Sequence, residues 1–402
     1  MDKKTNRNRF VKKPPEIVFA GCRFLLLLLL AFALAAFVSS CQKPSVSVQT
    51  LEELPEHLTA GFNNQRWYFT DLELAPPFIP QKEKNINGLA TDFFYAIRQK
   101  LILTTFNGYL VSLNRSGLND VDRMRLARGI SVPPAFYRPL VFVSIEKGRY
   151  GLQAYDLLHR KVVWKKKGLF SRSSPLVQDQ AVFHATLNGK ILAYNALSGK
   201  QLWTYDCGQP LTADLAAKGD TLVACTPDGL VLALNALDGS LLWRQKLDSH
   251  IYASPMILKG KVYLSCLDGC LRALKLTSGR LLFQSVSDGA PIYRACSSDG
   301  LSVFAMDSKG RLARFTPQLK RQWQVALTGV PMFTPLVTNR YVLAATMQKY
   351  FYVIDKNTGH IEQEEHLKHR VAGLLPTDAH TLFLMMEYHH LARWQSKGAL
   401  RK

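Results

Sequence analysis

The side chains in this sequence best suited to bind a metal or react are a group of cysteines and a group of histidines. The cysteines of the long C-terminal part are Cys207, Cys225, Cys266, Cys270 and Cys296. None has the Cys-x₂-Cys spacing that is typical of zinc sites. A disulfide between Cys266 and Cys270 needs suitably spaced Cα atoms, and a two-residue Asp268-Gly269 turn would pair Leu267 with Cys270 instead. We therefore expect small, buried, apolar cysteines with at least one free thiol.

The histidines cluster near the C-terminus, at His366, His369, His389 and His390. A His-x-x-His spacing fixes a metal geometry on a helix but not on a strand, so we expect solvent-facing loop histidines and no metal site. The sequence also lacks a Gly-x-Ser-x-Gly motif, a P-loop and a Gly-x-Gly-x-x-Gly motif. No catalytic residue is predicted, and the protein is not expected to be an enzyme.

A further reactive side chain is Cys41. A basic segment precedes an apolar run from Phe24 to Val38, which is followed by Ser39, Ser40 and Cys41. The run has about 15 residues, which is short for a membrane span of ~20, and the order of segments is that of a secretory signal. The Ser-Ser-Cys end resembles the bacterial lipobox.

That resemblance implies cleavage between Ser40 and Cys41 and acylation of Cys41, including palmitate, so that two or three acyl chains hold the protein on a membrane. We therefore expect a lipoprotein signal peptide at 1–40 and a lipidated tether at 41–62. By similarity to enterobacterial sorting, Gln42 favours the outer membrane, with the protein facing the periplasm. The alternative is an uncut signal anchor in which Cys41 is an ordinary cysteine.

Composition excludes a disordered chain. The sequence has 402 residues, of which 47% are hydrophobic, and a formal charge of +21. Basic runs lie at 165–167 and 368–370. A basic surface can attract anionic lipid headgroups or acidic loops of a partner, or it is simply solvated. Nucleic acid is not expected as a partner outside the cytoplasm.

A repeat of about 40 residues organises the chain from residue 101 onward. Its units begin near 101, 140, 181, 221, 261, 301, 341 and 381. The clearest copies carry hairpin turns at Asn188-Gly189, Asp228-Gly229 and Asp268-Gly269, each followed by a second Gly turn and then by Leu-Trp or a similar pair. About four short strands per 40 residues is typical of a propeller blade.

The sequence therefore predicts an all-β protein, an eight-bladed β-propeller of four-stranded antiparallel blades over residues 63–402. The eighth unit lacks an outer strand. Because Gln65-Arg66-Trp67 resembles Gln201-Leu202-Trp203, we expect residues 64–72 to supply that strand and residues 75–87 to cross into the first blade. Trp164, Trp203, Trp243 and Trp323 fall in outer strands, where we expect them to pack between blades.

The cores Ala-Tyr-Asn-Ala-Leu-Ser-Gly-Lys-Gln-Leu-Trp (193–203) and Ala-Leu-Asn-Ala-Leu-Asp-Gly-Ser-Leu-Leu-Trp (233–243) resemble the PQQ-like propeller family. Eight such repeats behind a lipobox look like the lipoprotein scaffolds of this family. The resemblance implies docking on periplasmic domains of the protein that assembles outer-membrane barrels, with no cofactor.

Two alternatives stay open. One is a lipoprotein propeller that senses a ligand, such as a glycan or peptide, through its central funnel. The other is a quinoprotein enzyme, for which the family resemblance implies an adjacent Cys-Cys pair, a stacking Trp and a Ca²⁺ site. The sequence has no adjacent cysteines, so we expect a protein–protein scaffold.

Overall fold

The computed structural model describes residues 57–58, 60–91, 93–119 and 121–399. In this part of the chain, β-strands form eight sheets, and no helix has the length and apolarity needed to cross a membrane. Each sheet is antiparallel and forms one blade, so the predicted eight-bladed β-propeller is confirmed.

The strands are numbered in chain order, and each blade has four of them from the channel outward. The innermost strands of blades 1–8 are β3 (Tyr95–Ile97), β7 (Ala135–Tyr137), β11 (Leu176–Gln178), β15 (Ala216–Lys218), β19 (Met256–Leu258), β23 (Ser297–Ser298), β27 (Leu336–Val337) and β31 (Val371–Asp378). The second strands are β4 (Lys100–Thr104), β8 (Leu140–Ser144), β12 (Ala181–Ala185), β16 (Thr221–Cys225), β20 (Lys261–Ser265), β24 (Val303–Met306), β28 (Tyr341–Ala345) and β32 (Thr381–Met386).

The third strands are β5 (Tyr109–Asn114), β9 (Tyr150–Asp156), β13 (Lys190–Asn195), β17 (Leu230–Asn235), β21 (Leu271–Lys275), β25 (Arg311–Phe315), β29 (Tyr350–Asp355) and β33 (His390–Ser396). The outer strands are β6 (Asp122–Arg125), β10 (Lys161–Lys167), β14 (Gln201–Asp206), β18 (Leu241–Lys246), β22 (Leu281–Gln284), β26 (Arg321–Ala326), β30 (Ile361–His366) and, in blade 8, β2 (Phe78–Asn85). A short strand, β1 (His57–Leu58), pairs with β7.

This up-and-down order gives the ring two faces. The link face carries the hairpins between second and third strands and the links from each outer strand to the next blade. The turn face carries the other two turns of each blade.

The link-face hairpins of blades 4 and 5 have three-residue loops. In blade 4, the Thr226 N–H donates to the Leu230 carbonyl at 2.9 Å, and Gly229 is left-handed with φ +90°. In blade 5, the Cys266 N–H donates to the Cys270 carbonyl at 3.1 Å. The expected two-residue loop and the Leu267–Cys270 pairing are therefore wrong, because the glycine ends a longer turn as its third residue.

Eight hydrophobic clusters fill the ring, and each draws its residues from two neighbouring blades. One cluster joins Phe383 and Leu391 of blade 8 to Phe94 and Leu103 of blade 1. A single sheet cannot cover its own apolar faces, so the blades stabilise one another.

The tryptophans of the outer strands pack between blades, as predicted. Trp203 of blade 3 lies against Gly239 of blade 4, and its indole N–H donates to the Ala236 carbonyl at 2.9 Å. A Cβ atom on Gly239 would lie 2.6 Å from the Trp203 ring, so only glycine fits there. Three more contacts repeat this pattern, namely Trp164 on Gly199, Trp243 on Gly279 and Trp323 on Gly359.

Closure differs from the sequence-based expectation. Strand β2 pairs with β33, from Phe78 opposite Ser396 to Asn85 opposite His390, and completes blade 8. The prediction that residues 64–72 supply this strand and that residues 75–87 only cross into blade 1 is wrong. Trp67 resembles an outer-strand tryptophan, but its indole N–H donates to the Ile257 carbonyl at the innermost strand of blade 5.

Candidate docking face at the mouth of the central channel

The channel of the ring holds the protein's own chain. Residues 60–75, here called the plug segment, bond to the innermost strands or their ends in blades 3–8. At its two ends the segment donates, from Asn64 Nδ2 to the Val177 carbonyl and from the Ala75 N–H to the Ala379 carbonyl. Between them its carbonyls accept from backbone N–H groups of four blades, namely Asn64 from Ala217, Gln65 from Ile257, Trp67 from Ser298 and Tyr68 from Val337. The plug segment therefore satisfies strand edges that would otherwise face an open channel.

A fully buried arginine anchors the plug segment. The Nε of Arg66 donates to the Leu215 carbonyl at 2.8 Å, and its Nη1 donates to the Ala60 carbonyl at 2.6 Å. The same Nη1 lies 3.5 Å from Asp214 Oδ2. A buried charge is tolerated only when it is paired and hydrogen-bonded, so these contacts fix the segment in one position.

Asp214 also belongs to a chain of contacts around the channel mouth on the link face. The Ser174 N–H donates to Asp214 Oδ1 at 2.6 Å, and the Asp214 N–H donates to Ser254 Oγ at 3.0 Å. These residues are 40 positions apart, so the repeat places them side by side in blades 3, 4 and 5. The Asp214 carboxylate thus connects the plug segment to the link that carries Ser174, and the Asp214 N–H connects it to the link that carries Ser254.

The rim of the mouth exposes large side chains. Tyr252 and Tyr293 are 49% and 46% exposed, and the exposed Arg172 donates to Glu146 at 2.6 Å. They surround a shallow, polar depression of about 230 Å³. Tyr and Arg are enriched among residues that dominate binding energy at protein interfaces, so this rim is suited to bind a protein.

The channel does not fit a quinone cofactor. Below the rim, a cavity of about 40 Å³ is bounded by Ala60, Tyr68 and Phe93 among others. That volume holds about one water molecule, whereas small-molecule sites measure about 300–1,000 Å³. Within the described residues, no group of three or more His, Cys, Asp or Glu side chains could hold a metal ion.

The structure places the five predicted cysteines in or next to blades 3–6, and Cys266 and Cys270 face each other across the hairpin of blade 5. All five are free thiols; Cys225, Cys266, Cys270 and Cys296 are buried, and Cys207 is half-buried. Burial raises the pKa of the Cys296 thiol to about 12, so it is protonated at neutral pH. The expectation of small buried cysteines holds for four of the five.

The C-terminal histidines are closer together than isolated loop residues would be. His369 and His390 stack with ring centroids 5.5 Å apart, and His390 Nδ1 lies 2.6 Å from Glu83 Oε1. His366 and His390 end and begin strands β30 and β33, so only His369 and His389 lie in loops. The prediction of loop positions is therefore correct for two of the four.

Sequence reasoning missed one buried histidine. His184 in β12 is fully buried, and burial lowers its pKa to about 4. Its Nε2 donates to the Leu169 carbonyl at 2.7 Å, which leaves Nδ1 to accept from Ser144 Oγ at 3.3 Å. The neutral ring thus connects blades 2 and 3, and its position on an apolar strand was the only signal for this role.

The predicted basic run at 165–167 lies in the outer strand of blade 2, and the run at 368–370 lies in the link from blade 7 to blade 8. Lys165 and Lys166 belong to β10 and lie over the rings of Tyr150 and Tyr194 at 4.4 and 4.8 Å. Arg370 donates to Glu387 at 3.1 Å. Ser40 and Cys41 of the predicted lipobox, with the whole of 1–40 and most of the 41–62 tether, lie outside the described residues. Ala60 and Phe62, at the end of that tether, pack into the ring.

A family model described as "Outer membrane protein assembly factor BamB" matches residues 187–397, more than half of the chain. No curated protein matches the sequence.

Several solved structures share the fold. BamB from Moraxella catarrhalis is 16% identical, with a TM-score of 0.60 over 80% of this chain and 98% of that one. A europium-containing methanol dehydrogenase is 10% identical, with a TM-score of 0.70 over 86% of this chain and 99% of that one. The computationally designed Ika8 protein is 14% identical, with a TM-score of 0.66 over 81% of this chain and 100% of that one. The fold is thus common to an assembly factor, an enzyme and a designed protein, and it does not by itself determine function.

Proposed function

Because this chain belongs to the family described as outer membrane protein assembly factor BamB, we propose that it is a non-catalytic scaffold that assists the assembly and insertion of outer-membrane β-barrels. It acts through protein–protein contacts with periplasmic domains of a barrel-assembly protein. Acylated Cys41 holds it on the periplasmic side of the outer membrane after cleavage behind Ser40.

The observation that carries this proposal is the occupied channel. The plug segment fills the space in which a channel ligand or quinone would bind, and buried Arg66 fixes it there. The link face presents Tyr252, Tyr293 and Arg172 around the channel mouth as a surface open to a partner. Exposed aromatic and arginine side chains around a shallow depression favour a protein surface over a small molecule.

A ligand sensor is the second candidate, supported by the polar lining of the same depression. At about 230 Å³ the depression lies below the usual size of a small-molecule site. A thermal-shift screen with glycans and peptides tests it, and a saturable shift that Tyr252→Ala removes would favour this candidate.

The direct test is mild cross-linking in cells, followed by detergent extraction through a C-terminal tag and mass spectrometry. We expect near-stoichiometric recovery of a large outer-membrane barrel protein with periplasmic domains. Recovery of the lipoprotein alone, or unchanged levels of outer-membrane barrels after loss of the protein, would contradict the proposal.

Variants locate the contact and the anchor. Tyr252→Ala with Tyr293→Ala should lower partner recovery about tenfold, which corresponds to about 1.4 kcal/mol. The matched control is Tyr388→Ala, which removes an exposed tyrosine of blade 8 that lies away from the rim. Cys41→Ser should move the protein from the membrane fraction to the soluble periplasmic fraction.

A further inference from the structure

An open cleft lies between blades 1 and 2 on the link face. Its volume is about 600 Å³. One wall is the start of the link after β6, and the other is the hairpin between β8 and β9. Four cationic side chains line this space, namely Arg125, Arg128, Lys147 and Arg149.

These cations lack an acidic partner in the part of the chain that the structure describes. No carboxylate of the described residues forms an ion pair with any of the four. The neighbouring Glu146 is already bound to Arg172 at 2.6 Å, and this hydrogen bond lowers the pKa of its carboxyl group. Several like charges in one cleft repel each other and create a strong positive potential.

The corresponding cleft between blades 5 and 6 is built differently. There, Asp288 in the link lies 2.7 Å from Arg321 and 3.7 Å from Arg311, and Asp307 binds Arg311 at 2.6 Å. The remaining cavity is only about 30 Å³. The molecule itself therefore shows which chemistry fills such a cleft, namely carboxylates carried on a loop.

A longer hairpin opens the cleft between blades 1 and 2. In blade 2, the Ile145 N–H donates to the Gly151 carbonyl at 2.8 Å, so five residues (146–150) form the loop. The loop of blade 4 has three residues (227–229). The extra residues of blade 2 add Lys147 and Arg149 to the cleft wall, and the link opposite them, residues 126–134, contains no Asp or Glu.

We propose that this cleft, here called the basic cleft, binds an acidic segment of a partner protein whose Asp or Glu side chains take the place that Asp288 and Asp307 occupy between blades 5 and 6. Its volume suits several peptide residues rather than one ion. Arginine side chains bind carboxylates through paired N–H groups, which gives the contact orientation as well as attraction. The Arg172–Glu146 pair places the basic cleft next to the channel rim.

This inference rests on the proposed scaffold function, and it specifies the chemistry of the partner. The test uses the full chain purified in detergent and measures fluorescence anisotropy with labelled octaglutamate. We expect saturable binding at low ionic strength that weakens as salt approaches about 0.15 M, where the Debye length is about 8 Å. Octaglutamine should not bind.

The variant for this test combines Arg128→Gln, Lys147→Gln and Arg149→Gln, all exposed side chains without ion pairs. Arg125 is kept because its Nε donates to the Ala127 carbonyl at 3.4 Å. We expect at least a tenfold loss of octaglutamate affinity.

A matched control loses the same three charges on the turn face, through Lys200→Gln, Lys218→Gln and Arg280→Gln. It should keep wild-type affinity. Equal losses in both variants would mean attraction by net charge alone and would overturn the proposal. Absence of octaglutamate binding would also overturn it.

Two further outcomes separate this inference from its rivals. If phosphatidylglycerol vesicles bind through the basic cleft while octaglutamate does not, the site takes a lipid phosphate and the acidic-segment proposal fails. If the cleft variant still recovers the barrel-assembly partner at the wild-type level in the cross-linking experiment, the scaffold function stands and the acidic-segment proposal alone fails.

Discussion

The interface between blades 3 and 4 and the interface between blades 7 and 8 meet the same packing requirement with different side chains. In the first, Trp203 packs on Gly239 and bonds to the Ala236 carbonyl. In the second, Gln363 occupies the corresponding position of β30. Its side chain accepts from the Phe78 N–H at 2.8 Å and donates to the Phe78 carbonyl at 2.7 Å.

The difference follows from how blade 8 is made. In blade 4 a continuous turn with a left-handed glycine joins the third and outer strands, and it presents a flat surface to an indole ring. In blade 8 the third strand ends at Ser396 and the outer strand begins separately at Phe78. At the start of this outer strand, the Phe78 N–H needs an acceptor and the Phe78 carbonyl needs a donor. An indole N–H can only donate, whereas the Gln363 amide accepts and donates at once.

Truncation of the tryptophan should have the largest effect. We expect Trp203→Ala to lower the free energy of unfolding by about 3–5 kcal/mol, because it leaves a cavity between two blades and an unpaired Ala236 carbonyl. Denaturant titration measures this change. The control Leu202→Ala removes an exposed neighbour and should cost about 0.5 kcal/mol or less. Similar losses for both variants would mean that interblade packing does not distinguish the position.

Burial of His184 between blades 2 and 3 should make the stability of the protein depend on pH. The pKa of His184 falls from 6.5 to about 4 on folding because of burial. The unfolded chain therefore binds more protons between these values, and stability falls as the pH drops through that window. The loss should reach about 3 kcal/mol.

Denaturant titrations at pH 7, 5.5 and 4 test this. His184→Gln should remove this part of the acid destabilisation. Ser144→Ala serves as the control, since it removes a hydrogen bond but leaves the histidine buried. Its free energy of unfolding should depend on pH as strongly as that of the wild type. If His184→Gln loses as much stability between pH 7 and pH 4 as the wild type does, His184 is not the cause of this acid destabilisation.

A change at the interface between blades 7 and 8 should lower the free energy of unfolding less and act more locally. Gln363→Leu leaves the Phe78 N–H and carbonyl unpaired in a buried position, at a cost of about 2 kcal/mol. Hydrogen exchange should speed up in β2 while blades 3–5 keep their protection. The exposed Gln201→Leu in β14 is the control and should change neither region. A uniform loss of protection from hydrogen exchange throughout the ring would show that the interface between blades 7 and 8 does not open independently of the other blades.

The regular blades could be predicted from sequence because their constraints repeat. Counterparts of Gly239 and Trp203 recur about every 40 residues, so these pairs can be recognised in the sequence.

The closing strand contains no such repeated residues. Phe78–Asn85 pairs on one side only, contains Pro80 and is largely exposed, so an apolar alternation is not required there.

The plug segment could not be predicted for a related reason. Its contacts are mostly backbone hydrogen bonds, which any sequence can make, and Trp67 matched the repeat while serving a different contact. The basic cleft depends on a hairpin that is two residues longer than those of blades 3–5. Sequence spacing hinted at this only as a shift of one residue in the starts of units 1–3.

The order of the chain has a consequence for how the protein is made. The first residues of the ring, in the plug segment and β2, find their partners as far along as Ala379 and Ser396. A ribosome that produces the chain from its N-terminus releases these partners last. Contacts of such long sequence separation slow folding, so the ring cannot lock until nearly the whole chain has emerged.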